Sequence, residues 1–176
     1  YHDTSYNRTV RISIGHSAGK YLSQSFTKVD IYSDVDFDDK HPAGTSLSDI
    51  FEFNSLTPYP YIRSGYKNSY DWNGFEKLTQ WQAIFSNILQ SDSDPTHNPA
   101  YSRGNVSPVD KMANELIQDD LTLLGRGVYA SIGRTDPMAV IRLTKAPEVS
   151  GIYKIRVKFT DEDGREYVSN ILDINL

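Results

Sequence analysis

Ile152-Tyr153-Lys154-Ile155-Arg156-Val157-Lys158-Phe159-Thr160 decides the fold class of this chain. Tyr153, Ile155, Val157 and Phe159 are apolar, and Lys154, Arg156, Lys158 and Thr160 between them are polar. Strict alternation at period two marks a strand buried on one face. Asp161-Glu162-Asp163-Gly164 follows, with Gly164 able to take the positive φ of a tight turn. A second run, Arg165 to Leu176, places Val168, Leu172, Ile174 and Leu176 on one parity. The stretch predicts an antiparallel hairpin.

Working upstream, Met138–Leu143 is apolar on both parities and reads as a central strand. Val128–Ile132 is another strand. In the first third, Val10, Ile12 and Ile14 alternate with polar residues, as do Val29 and Ile31. Thr45 or Ser46 is placed to cap a short helical turn through Leu47, Ile50 and Phe51.

The middle differs. Phe75, Leu78, Trp81, Ile84, Phe85, Ile88 and Leu89 recur at the helical period. Ser91–Asn105 is loop-like, broken by Asp94-Pro95 and Asn98-Pro99. Ser107-Pro108-Val109-Asp110 reads as the start of a second helix that buries Met112, Leu116 and Ile117. The predicted fold is therefore mainly β with a helical insertion (α+β). It is a single domain over residues 1–176, with a helical and aromatic insertion at about 56–124 between early and late strands.

At 176 residues a single domain buries roughly 70% of its unfolded surface. The absence of cysteine excludes disulfides, thiolate metal sites and a cysteine nucleophile. A net charge of −5 without a basic stripe argues against nucleic acid. No run of about 20 apolar residues is present to span a bilayer as a helix. The chain begins at Tyr1 and not at Met, which reads as a processed or trimmed chain.

Gly151-Ile152-Tyr153-Lys154-Ile155 resembles the tyrosine corner of immunoglobulin-like sandwiches, with Ile155 where the second cysteine stands. The alternative is any antiparallel hairpin that opens Gly-x-Tyr. Val29-Asp30-Ile31-Tyr32-Ser33, then Asp36-Phe37-Asp38 and His41-Pro42-Ala43-Gly44-Thr45-Ser46-Leu47, resembles a pattern in small envelope lipoproteins of Bacteroides type. That resemblance implies a β-rich ectodomain, an extracytoplasmic location at the bacterial envelope or surface, and a lipid anchor in the precursor. It carries over no catalytic residues.

Three constellations are candidates for chemistry. Gly15-His16-Ser17-Ala18-Gly19 fits the G-x-S-x-G nucleophile elbow, with Asp92 or Asp94 and then His97 in the required order. It would make the chain an esterase-like serine hydrolase. However, the 14 residues before Gly15 are too few for the upstream crossover that a parallel sheet needs. A glycine-bounded loop between antiparallel strands explains the motif better.

Asp34, Asp36, Asp38 and Asp39 cluster as hard oxygen ligands for calcium would. They lack the glycine and glutamate of an EF-hand, so a loose surface calcium site competes with a solvated acidic turn. The four histidines show no ligand spacing.

The third constellation is the aromatic stretch from Tyr59 to Phe75. Tyr61, Tyr66, Tyr70 and Trp72 are the candidate ligand-binding residues, because rigid aromatic faces with polar tips suit sugars and partner side chains. The competing reading is that these rings pad the inserted helix. The leading functional expectation is a non-catalytic extracytoplasmic module that binds a protein partner or glycan through this stretch, or serves structurally.

Overall fold

The computed structural model of the chain describes residues 25–89, 103–124, 128–129, 134–135 and 137–176. These residues are mostly β, with short helices. They divide into two compact units. One draws on residues 55–108 and 123–139, the other on residues 25–54, 109–122 and 140–176.

The second unit holds a four-stranded antiparallel sheet. Its strands are β1 (Phe26–Ser33), β7 (Ile152–Asp161), β8 (Glu166–Val168) and β9 (Leu172–Asn175). β7 is central, with β1 on one side and β8 and β9 on the other. The alternation of β7 is realised in space: Tyr153 and Ile155 are buried, while Ile152 and Lys154 are exposed. Phe26, Val29, Ile31, Phe37 and Phe53 are buried in the same unit. The Phe26 and Phe159 rings lie 5.0 Å apart, and those of Phe37 and Tyr153 lie 5.1 Å apart.

The hairpin turn closes where Gly164, at φ +79°, donates its N–H to the Asp161 carbonyl at 3.0 Å. The buried Asp161 carboxylate accepts N–H bonds from Asp163 and Arg165 and the Tyr167 hydroxyl at 3.0 Å. Between β8 and β9 the partner register shifts by one residue: Lys158 faces Val168, whereas Ile155 faces Leu172. This bulge corrects the expected single parity, because a one-residue slip moves every following side chain to the other face. Val168 lies opposite Lys158 on the polar face and Leu172 opposite Ile155 on the apolar one, and both are exposed. Ser169 bridges the break, with its N–H on the Val157 carbonyl and its Oγ accepting the Val157 N–H at 3.0 Å.

A three-stranded sheet has the order β3 (Ser107–Met112), β2 (Phe51–Thr57), β6 (Ala139–Leu143). Three expectations are corrected here. Phe51 opens the central strand β2, buried at every position, and does not close a helical turn. At Thr45–Ile50, Ser46 is bridged antiparallel to Tyr32 and Ser48–Ile50 form a turn, with Ser46 Oγ accepting the Ser48 N–H and Ile50 donating to Leu47. Met138–Leu143 is an outer strand of partial exposure, because β2 takes the centre.

Ser107–Met112 is likewise a strand, not a helix. Proline is tolerated at a strand's start as well as in a helix's first turn. Here Asp110 binds the Asn54 side chain at 2.8 Å. Two 3-10 turns follow, Ala113–Glu115 and Gln118–Leu121, leaving Ile117 exposed. A two-stranded ribbon pairs β4 (Val128–Tyr129) with β5 (Arg134–Thr135).

The first unit contains α1 (Tyr59–Arg63), α2 (Leu78–Ile84) and α3 (Ser86–Leu89). The helical period from Phe75 is resolved as two short helices, with Phe85 between them out of helical conformation at φ −106°, ψ 49°. Trp81, Phe85 and Leu89 bury one face against Leu56, Trp72 and Val106.

Candidate functional site

The aromatic stretch is split by the fold. Trp72 is core: it is 3% exposed, and its indole Nε1–H donates to the Val106 carbonyl at 3.2 Å. Its ring lies 4.9 Å from Tyr70, 5.2 Å from Phe75 and 6.4 Å from Trp81, so Trp72 presents no face to a ligand. Tyr70 is half-buried on the rim of that cluster, held by its N–H to the Gly104 carbonyl at 2.6 Å.

Tyr61 and Tyr66 are organised differently. α1 ends in a left-handed turn in which Gly65 (φ +70°) donates to Ile62 at 2.9 Å and Tyr66 (φ +64°) donates to Tyr61 at 3.0 Å. This pair of backbone bonds is the Schellman closure of a helix, which places the residue after the glycine against the last turn. The two tyrosine rings accordingly meet edge to face at 5.7 Å and 77°. Ser64 completes the turn, its hydroxyl donating to the Tyr61 carbonyl and accepting the N–H groups of Lys67 and Asn68. Arg63, Gly65, Lys67, Asn68 and Ser69 around the pair are exposed. From Asn54 to Tyr70 there is no acidic residue, so this turn is locally cationic in a chain of net charge −5. A left-handed tyrosine costs about 1–2 kcal/mol of backbone energy, and residues held this way concentrate at functional sites.

The four aspartates do not converge on one point. Asp34 is paired with the Arg156 guanidinium, with Nε–Oδ2 at 3.1 Å. Asp36 accepts the Ala43 N–H at 2.8 Å, and Asp39 is exposed. Asp38 is the most enclosed. Its Oδ1 accepts the backbone N–H of Lys40 and of His41 and lies 2.6 Å from His41 Nδ1, while its Oδ2 takes Lys145 Nζ at 3.0 Å. Among the described residues, no three His, Asp or Glu side chains are placed to hold a metal ion. These oxygens organise the loop through backbone hydrogen bonds and ion pairs.

His41 is the residue that sequence reasoning passed over. It is 7% exposed, and its second ring nitrogen, Nε2, lies 3.1 Å from Asp49 Oδ1. Burial opposes its charge, but hydrogen bonds and attraction from Asp38 and Asp49 outweigh it and raise its pKa above the usual imidazole value. Lys145 foremost, with His41, holds the Asp38 carboxyl well below the usual carboxylate range. With both ring nitrogens engaged by carboxylates, His41 clasps residues 38–49 together. The only prior signal was Asp38-x-x-His41 around a tight turn.

Ser17, Asp92, Asp94 and His97 of the elbow constellation lie outside the described residues, as do Val10–Ile14. Among the described residues no helix is long and apolar enough to cross a membrane. No family model, no curated protein and no solved structure matches this chain.

Proposed function

We propose that this chain is a non-catalytic extracytoplasmic binding module of a bacterial envelope protein. Its α1 turn engages a glycan or a protein partner. The observation that carries the reading is Tyr66. A tyrosine is held at φ +64°, edge-on to Tyr61, on an exposed and locally cationic turn. Glycine or asparagine would occupy that backbone position at lower cost, so the ring is what this residue adds to the turn. Binding groups carried on loops of a rigid scaffold are the usual arrangement. Here the Trp72 cluster supplies the rigidity.

An immunoglobulin-like sandwich is the finer fold reading. It is supported by the buried Tyr153 near the start of β7, whose hydroxyl donates to the Val149 carbonyl four residues upstream at 2.5 Å. The resemblance of Val29–Leu47 to envelope lipoproteins supports the location and the lipid-anchored precursor. A glycan array probed with the intact chain tests the function. The reading expects binding that Tyr61→Ala and Tyr66→Asn each abolish. An array with no bound glycan, or binding unchanged in both variants, would leave the glycan reading without support.

A further inference from the structure

The outer edge of β9 is unpaired, and its sequence is complementary to itself. Gly151 and Leu176 exchange both backbone bonds, at 2.8 and 3.0 Å. They fix the phase of the β7–β9 ladder, in which Tyr153 with Ile174 and Ile155 with Leu172 are the next hydrogen-bonded pairs. Asp173 and Asn175 therefore turn their N–H and C=O groups away from β7. Among the described residues β9 pairs with no other strand, and both residues are exposed. An open strand edge is a template for pairing with another chain.

The side chains along this edge are also incompletely covered. Leu172 stands opposite Ile155 on the apolar face, yet it is 50% exposed where Ile155 is 2%. Ile174, opposite the buried Tyr153, and Leu176 are only half-buried on that face. On the other face Asp173 lies opposite Lys154, and Asn175 lies opposite the exposed Ile152.

Within β9 an antiparallel pairing of two copies must join Asp173 and Asn175, the residues whose backbone groups face outward. Asp173 against Asp173 sets two carboxylates side by side, which is destabilising. Asn175 against Asn175 leaves Asp173 without a facing residue in the other strand. Centring the pair on Ile174 avoids both faults. Asp173 then faces Asn175 of the second copy and Asn175 faces its Asp173, and each pair exchanges both N–H···O bonds. The Asn175 amide donates to the facing carboxylate. On the apolar face Ile174 meets Ile174 and Leu172 meets Leu176, which covers the side chains that β7 leaves open.

We propose that β9 is a self-association edge. A second copy of this chain pairs with it antiparallel about Ile174, through a two-fold axis, and joins the two four-stranded sheets into one. The contact is isologous, with the same residues on both sides, as a closed dimer requires. A strand pair four residues long is a small interface, of the class that associates transiently. The site lies in the second unit and is independent of the tyrosine turn.

The chain has no cysteine, so a single introduced thiol reports the register. Ile174→Cys sets two thiols across a non-hydrogen-bonded pair, whose Cα atoms lie about 4.5 Å apart, within disulfide reach. Asp173→Cys sets them on diagonal neighbours about 7–8 Å apart, at or beyond that reach. Under mild oxidation of the intact chain, Ile174→Cys should form a covalent dimer at least about tenfold faster than Asp173→Cys. In sedimentation equilibrium the wild type should self-associate between about 10 µM and about 1 mM. Asn175→Asp, which sets carboxylates face to face, should weaken that association at least about tenfold. Equal or reversed cross-linking rates would overturn the proposal. So would a wild-type chain that stays monomeric at about 1 mM, or association unchanged in Asn175→Asp.

Discussion

His41 Nδ1 lies 2.6 Å from Asp38 Oδ1, and the same carboxylate holds Lys145 through its other oxygen at 3.0 Å. With Asp49 on Nε2, this clasp ties residues 38–49 to the strand-following segment at Lys145. His41 has a folded pKa above its unfolded value, so its contribution is complete below about pH 6.5 and disappears as pH rises through the folded value. Urea midpoints should therefore fall as pH rises above about 6.5, and His41→Asn should flatten that slope. An unchanged slope in the variant would show that another group titrates.

Asp38 has the opposite sign. Its folded pKa is depressed, so its contribution is present above about pH 3.9 and is lost as pH falls through the folded value. Lys145→Met should move acid unfolding to higher pH, read by circular dichroism along an acid titration.

Trp72 carries weight in the core of the first unit. Trp72→Ala should cost about 3–5 kcal/mol by chemical denaturation, while Trp72→Phe should lose much less, keeping ring contacts with Phe75 and Trp81 but giving up the bond to Val106. Equal, small losses would place the ring outside the core.

Gly164→Ala tests the hairpin turn. The position has φ +79° with nothing within 4 Å of an added Cβ, so only backbone strain is introduced. About 1–2 kcal/mol of destabilisation is expected. Tyr153→Phe, which removes the hydroxyl bond to Val149, should cost about 1 kcal/mol.

Legibility in the sequence followed how local each signal is. β7 was readable because its partners β8 and β9 are adjacent in the chain and its alternation is unbroken. β2 was hidden because Glu52 and Asn54 interrupt its apolar run. Their burial is compensated by Arg142 and Asp110, which the chain brings from far away. Ser107-Pro108 opens a helix or a strand with the same residues, and only the pairing with β2 decides. The bulge at Ser169 is a register event that composition does not record. Within the aromatic stretch, Trp72 and Tyr66 look alike as sequence. The Val106 carbonyl draws one inward, and the glycine turn at Gly65 carries the other outward.

The most direct measurement pairs stability and binding in a single variant, Tyr66→Asn, which suits the left-handed backbone but removes the ring. Its urea midpoint should match or exceed that of the wild type, while binding to whichever glycan the array identifies should fall below detection. Full binding in a stable Tyr66→Asn protein would contradict the account, as would a variant that unfolds and so shows the ring to be a packing element.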